Sequence, residues 1–362
     1  MTSPVTITGV GVVTALGTDS VLLARRATIR ADHVRGDVHD GPHPPALDEA
    51  PRSRLMSAST ARLLAAAEAA LRTAGDDART LAGDRLGLAV AIGPELELDG
   101  IIPAVRASMD ADGRWDPARF ATDGHREILP LWFVREHPVG GAGLLAMRAG
   151  ATGPSRVVAA EDAGGLQAVG DGLSAIDGGE ADAMLCGGTA TECAPFKAWY
   201  AAAAADHARR PGFGAAALLL EAPALTGRRS ARPWAEVLGY ASVCDEEPGS
   251  ALREAILAAL ADASCRPGDI DAVVGGESAA ADVALARVFA RSARPAHRLG
   301  LGASLGDLGA AAGALHTAVA ATWLRQARRR WRRAGRRPIA LVHAGCGEVA
   351  AGLVLGASSE AP

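Results

Sequence analysis

The sequence predicts an α/β protein built as two related halves, and three observations predict it. Short, glycine-terminated runs of β-type residues alternate with Ala/Leu-rich runs at helical spacing. The same order of elements comes round twice along the chain. The chain has 362 residues, 49% hydrophobic and 22% charged. That is long enough for two domains or one large α/β unit, with a sizeable core.

The elements read in order as follows. Val5 to Val13 is a strand with a glycine break, followed by a turn at Gly17-Thr18-Asp19. Residues 27–56 are rich in His, Asp, Pro and Arg without a period and read as loop. Ser57 to Ala74 has helical spacing, and Leu86 to Gly93 is a buried strand. Residues 95–112 read as helix and 113–130 as a polar excursion. Arg156 to Ala160 is a strand, Gly164 to Gly179 a helix, and Ala183 to Gly188 a strand ending in glycines. Ala215 to Glu221 is a strand, and Pro223 to Arg232 reads as a linker. The helix–turn–strand–Gly order of residues 66–93 returns from Ala255 to Gly276, and that of 164–188 returns from Gly309 to Gly347. This suggests a duplicated fold with halves at 1–230 and 231–362, the alternative being unrelated α/β units of similar composition.

Composition excludes several classes. The net charge of −4 gives no global footprint for nucleic acid. No apolar run is long enough to span a bilayer, and the N-terminus has no basic signal-peptide region, so no membrane association is expected. The five cysteines show neither a disulfide framework nor metal spacing, which fits a reducing cytoplasm. Among the 37 basic residues Lys197 is the single lysine, so a mechanism needing a lysine must use it or fail.

Ile7-Thr8-Gly9-Val10-Gly11-Val12-Val13-Thr14-Ala15-Leu16-Gly17 resembles the opening strand and turn of the β-ketoacyl synthases. Gly150-Ala151-Thr152-Gly153-Pro154-Ser155 resembles the run leading to their nucleophile. The resemblance implies a thiolase-like five-layer αβαβα fold of two pseudo-duplicated halves. In that family a catalytic cysteine sits at the turn into a buried helix, where the helix N-terminus favours a thiolate and donates N–H groups to an oxyanion. Here the stretch is Ala160-Glu161-Asp162-Ala163-Gly164-Gly165-Leu166, with Asp162 at the nucleophile position. That wording resembles the chain length factors, the partner subunits of type II polyketide synthases. This chain is shorter than typical members.

The remaining catalytic positions of the family are also changed. Its His-Gly-Thr-Gly-Thr loop corresponds to Val274-Gly275-Gly276-Glu277-Ser278, without histidine. Counting back from Gly313 places Asp307 at the second histidine and Gly302 at the lysine. The Gly-Phe-Gly-Gly loop corresponds to Ala344-Gly345-Cys346-Gly347. Decarboxylative condensation needs a thiol nucleophile and imidazole donors, so the subunit is not expected to condense by itself.

Each candidate has a bland reading beside the functional one. Asp162 is a carboxylate in a vestigial pocket or a helix N-cap. Cys346 resembles the second cysteine of thiolases or is a small residue in a tight loop. The arginines at 325, 328–330, 332, 333, 336 and 337 meet an acidic carrier protein or a nucleic acid, carrier protein first, or form a solvated helix end. Leu98, Ile102, Val105, Met109 and Asp112 fall on one helical face, with Ile101 beside them. The resemblance makes that helix part of the dimer interface and of the wall of the tunnel holding the growing chain; the alternative is core packing. Asp112 contacts a polar chain end or ends the helix. Phe196 and Ala198 fall near the family's second set of tunnel-shaping residues.

Three functions follow. The first is a non-catalytic chain length factor that pairs with a ketosynthase subunit and an acyl carrier protein. It would need no cofactor of its own, phosphopantetheine arriving on the carrier. The second is a thiolase-like acyltransferase or decarboxylase active alone through Asp162, Glu277 or Cys346. The third is a stand-alone acyl-binding homodimer. The aliphatic Leu98, Ile101 and Ile102 lean toward a reduced, polyene-type chain, which apolar walls accept without loss.

Overall fold

The computed structural model describes residues 4–27, 56–75, 77–78, 81, 83–93, 101–128, 130–190, 212–246, 250–292, 294–332 and 335–358. The first half opens with β1 (Thr6–Thr14), α1 (Ser20–Ala27), α2 (Ala58–Ala74) and β2 (Leu86–Ile92). Short helices α3 (Ile102–Ala107), α4 (Pro117–Thr122), α5 (Trp132–Glu136) and α6 (Pro138–Ala149) lead to β3 (Ser155–Val158). Then come α7 (Gly164–Asp177), β4 (Ala183–Thr189), β5 (Gly214–Glu221) and α8 (Pro223–Arg229). The second half runs β6 (Ala235–Cys244), α9 (Ser250–Asp262), β7 (Ala272–Gly275), α10 (Ala279–Val288) and β8 (His297–Leu299). It ends with α11 (Gly302–Leu305), α12 (Ala312–Arg332), β9 (Ile339–Cys346) and β10 (Val349–Gly356).

The described strands form one mixed sheet in the order β3-β2-β4-β5-β1-β6-β10-β9-β7-β8. Read outward from the centre, each half repeats the other. β1 and β6 are innermost, β5 and β10 follow, then β4 and β9, β2 and β7, and β3 and β8. The pairings repeat as well. β2 lies parallel to β3 and β4, as β7 does to β8 and β9, while β5 and β10 run antiparallel to their neighbours. Thr6 pairs with Glu236 and Ile7 with Ala235 where β1 meets β6, a short seam beside which the Val237 N–H donates to the Val5 carbonyl at 2.9 Å.

Burial follows the layering. β1, β2, β4, β5 and β7 are buried along their whole length, as expected of strands covered on both faces. One apolar cluster joins α7 and α12 to the inner faces of both halves. A second packs α2 and α6 on the outer face of the first half, and a third packs α9 and α10 on that of the second. Helices therefore cover both outsides and fill the middle. At the centre α7 and α12 touch backbone to backbone. A Cβ on Gly165 would stand 2.4 Å from the Ala314 nitrogen, and one on Gly313 2.5 Å from the Leu166 nitrogen. Only glycine permits that approach.

Several elements differ from the sequence reading. The helix expected over 95–112 is confined among described residues to Ile102–Ala107. The Ser108 hydroxyl donates to the Ala104 carbonyl at 2.6 Å, and the chain turns at Asp110–Gly113, where Gly113 has φ +74°. Residues 223–229 are helical, not linker: Pro223 sits in the first turn, where its missing N–H costs nothing. The excursion at 113–130 contains α4, capped by Asp116. The segments forming α5, α6, β6, α10 and β10 had no assignment from sequence. The loop expected at 27–56 lies almost wholly outside the described residues.

Candidate functional site

The strand–turn–helix β3–α7 aims the residue of interest at the middle of the molecule. Asp162 lies in the turn Glu161–Ala163 and is half-buried. It is not the N-cap: that position is Ala163, which has helical φ and ψ and no side-chain cap bond. Asp162 instead lines a cleft of about 310 Å³ between the N-terminal turn of α7 and the second half. Four further segments complete it: the end of β7 with Gly276 and Glu277, the α11 turn, Asp307 ahead of α12, and the end of β9.

The structure thus gathers Asp162, Asp307, Glu277 and Gly302 around one cleft. Asp307 Oδ1 accepts the Gly309 N–H at 3.1 Å. Glu277 Oε2 accepts the Ala303 N–H at 3.2 Å. A Cβ on Gly300 would fall 2.2 Å from Glu277 Oε1, and one on Gly302 3.1 Å from Oε2. Glycine at 302, the position the resemblance assigns to lysine, leaves room for the Glu277 carboxylate. Among the described residues the lining holds three carboxylates and neither lysine nor arginine.

Two histidines in the lining escaped the sequence reading. His316 projects from α12 and His343 from β9, and they are 3% and 2% exposed. Burial pulls His316 down to about 4 from the ordinary imidazole value. Burial, reinforced by His316 and Arg298, pulls His343 down to about 3. Both are neutral at physiological pH. The ring of His343 presses on Gly275, where a Cβ would stand 2.3 Å from its Nε2. The signal available was a polar ring inside two otherwise apolar runs, Ala314-Leu315-His316 and Ala340-Leu341-Val342-His343. The reading looked for histidine only at motif positions.

The proposed tunnel residues lie elsewhere. None of Ile101, Ile102, Val105, Met109 and Asp112 lines the cleft. Ile101, Ile102 and Val105 are half-buried, and Met109 is exposed. Asp112 is exposed in the turn after Asp110, past the end of α3, so it neither shares a helical face with Ile102 nor ends the helix. Leu98, Phe196 and Ala198 lie outside the described residues, as does the side chain of Cys346.

Three arginines of the run have internal partners, and the side chains of Arg329, Arg330, Arg332 and Arg333 lie outside the described residues. Arg325 stacks over Trp234 at 4.2 Å, Arg336 pairs with Asp271 at 2.8 Å, and Arg337 with Glu236 at 2.5 Å. Asp271 and Glu236 are buried, so these arginines tie the end of α12 and the start of β9 into the sheet. Among the described residues no His/Cys/Asp/Glu cluster is placed to hold a metal ion, and no helix is long and apolar enough to cross a membrane.

Comparison with known proteins bears on the fold and on the sequence resemblance. Residues 37–213 match the family described as β-ketoacyl synthase, N-terminal domain. A polyketide β-ketoacyl synthase 2 of Streptomyces coelicolor is 29% identical over 197 residues, which cover 48% of this chain and 46% of that protein. The match thus spans about half of that relative's length. Two solved structures share the fold across 99% of this chain and 100% of theirs. They are the ishigamide ketosynthase/chain length factor (TM-score 0.76, 22% identical) and a type II polyketide synthase acyl carrier protein in complex with its ketosynthase bound to the hexaketide (TM-score 0.79, 18% identical). The protein has a thiolase-like fold, and residues 37–213 match the β-ketoacyl synthase N-terminal domain and are similar in sequence to proteins of type II polyketide synthases.

Proposed function

We propose that this chain is a non-catalytic chain length factor that pairs with a ketosynthase subunit, receives no acyl group itself, and narrows the tunnel for the growing chain. One observation carries the reading. The segments that the resemblance assigns to catalysis meet around one cleft, and it presents carboxylates at Asp162, Asp307 and Glu277. A carboxylate cannot hold a chain as a thioester, and buried neutral imidazoles do not replace the missing thiol. The partner would supply the nucleophile, with phosphopantetheine brought by an acyl carrier protein in the cytoplasm.

The surface supports a partner. The segment from α3 to α6 exposes Met109, Trp115, Leu131, Phe133, Val134 and Met147, with Phe133 67% exposed. Large apolar side chains left exposed along one segment fit an interaction face. It adjoins β3, an edge strand paired only with β2. An interface larger than the ordinary ~1,200–2,000 Å² is expected there.

The test is product analysis with the partner ketosynthase and carrier protein. One two-carbon extension needs about 2.5 Å of depth, less than one helical turn of about 5.4 Å. Ile102→Ala, Leu98→Ala or Phe196→Ala should lengthen the product by one or two extensions, and Ala198→Phe should shorten it. Ala104 is unsuited to this test, being fully buried beneath Gly124 and Ser108. The aliphatic Ile101 and Ile102 favour a reduced, apolar chain. Unchanged length with an intact heterodimer would refute the tunnel role. Turnover of acyl thioesters by the purified chain alone would refute the non-catalytic reading.

A further inference from the structure

A second polar feature of α12 lies well away from the cleft. Arg325 comes nine residues after His316, about 14 Å further along the helix. Its guanidinium stacks over the Trp234 ring at 4.2 Å, and its side chain is exposed. The charges that act on it among the described residues are those of Arg232 and Arg328, both of its own sign. Burial first, and then these two like charges, pull Arg325 below the ordinary guanidinium value. Arg229 shows what a bonded carboxylate does. Burial acts on Arg229 in the same direction, yet Asp77 and Glu221 carry it above that value. Glu236, two residues past Trp234, is taken by Arg337. Arg328 has a further interaction of its own, so the exposed Arg232 and Arg325 are the pair that an incoming anion meets.

A separate observation comes from Trp234. It is 7% exposed, and its Nε1–H has no hydrogen-bond partner. An indole N–H can only donate. A buried donor left without an acceptor is costly, and native structures seldom keep one without reason. This donor belongs to the ring that Arg325 covers, so two guanidinium groups and an unused N–H share one spot.

We propose that Arg232 and Arg325, with the Trp234 indole beneath them, form a binding site for a phosphate monoester. Two guanidinium charges match the two negative charges of that group, and each guanidinium fork matches a pair of its oxygens. Arg325 rests on the ring by stacking, so a bound anion draws it aside and one oxygen accepts the Nε1–H. A phosphodiester or a carboxylate brings one charge and two free oxygens, too few for all three donors. The site is independent of the chain-length reading, because none of its residues lines the cleft.

The test follows the Trp234 indole N–H by NMR in the full chain, its signal assigned with Trp234→Phe. Methyl phosphate is titrated at constant ionic strength, against dimethyl phosphate as the diester and succinate as the dicarboxylate. A saturable shift with methyl phosphate, and a much weaker response to the other two, is expected. Arg325→Gln and Arg232→Gln should each weaken binding about ten- to hundredfold, the usual worth of a charged hydrogen bond. Both side chains are exposed, so the circular dichroism of each variant should match that of the parent chain. Arg148→Gln, on α6, should leave binding as it was. The comparison of the three anions is made in the unmutated chain, so a variant that fails to fold does not decide the matter. No saturable shift, an equal response to dimethyl phosphate or to succinate, or unchanged affinity in the two arginine variants would overturn the proposal.

Discussion

Acidification should unfold this protein earlier than its carboxylates alone would. His316 and His343 are buried and neutral, held down to about 4 and about 3. In the unfolded chain both return to about 6.5. Above that pH they are neutral in both states, and burying them carries no proton penalty. Below it the unfolded chain takes up two protons that the folded chain refuses, so stability falls with pH. Each histidine contributes a slope of about 1.4 kcal/mol per pH unit, ending near pH 4 for His316 and near pH 3 for His343. From about pH 7 to 5 the pair removes about 4 kcal/mol, a large part of a domain's usual ~5–15 kcal/mol. Asp77 and Asp182, whose arginine partners hold them below the ordinary carboxylate range, lose most of their stabilisation below about pH 4, so between about pH 7 and 5 the histidines set the slope. The assay is urea unfolding followed by far-ultraviolet circular dichroism across this range. The double variant His316→Gln/His343→Gln should flatten the slope whatever its absolute stability. An unchanged slope, or NMR titration of either ring near 6.5 in the folded protein, would refute the reasoning.

Other substitutions test the scaffold. Glu221 is fully buried and pairs with Arg229 and with the Thr8 hydroxyl, which donates at 2.7 Å. Arg229→Met strands that carboxylate and should cost about 3–5 kcal/mol in urea unfolding, whereas Arg85→Met at the exposed Asp182 pair should cost less than about 1 kcal/mol. Gly165→Ala forces a Cβ against the Ala314 backbone and should cost at least about 1–3 kcal/mol, visible as a lowered unfolding midpoint. Phe133→Asp should abolish association with the ketosynthase in size-exclusion chromatography while leaving the circular dichroism of the chain unchanged, since Phe133 is exposed.

Much of the fold was legible because its signals are local. The glycine-ended strands β2 and β4 and the helices α2 and α7 carry their own periodicity. The duplicated order followed from them. Other elements were hidden for physical reasons. β6 alternates half-buried and exposed residues near its end and contains Gly239, so it reads weakly as a buried strand. α3 stops because Ser108 turns its hydroxyl back on Ala104 and the following residues form a turn, neither of which hydrophobic spacing reveals. At the site, counting along motifs brought Asp162, Glu277, Gly302 and Asp307 to one cleft, because a motif fixes backbone position. His316 and His343 were invisible to that method. They enter the cleft from elements whose motif residues are glycines and alanines, and only the packing of α12 against β9 shows that their rings meet it.

The crossing of α7 and α12 at Gly165 and Gly313 separates shape from chemistry. The two helices are spaced by main-chain atoms, which every amino acid supplies alike, and not by interlocking side chains. The position of the turn bearing Asp162 relative to the segment bearing Asp307 is therefore insensitive to which residues occupy those points. Such a frame can lose one set of functional groups and acquire another without being rebuilt, because the mould was never made of them. The exchange of residues around the cleft is then a change of contents in a container whose dimensions are set by two glycines.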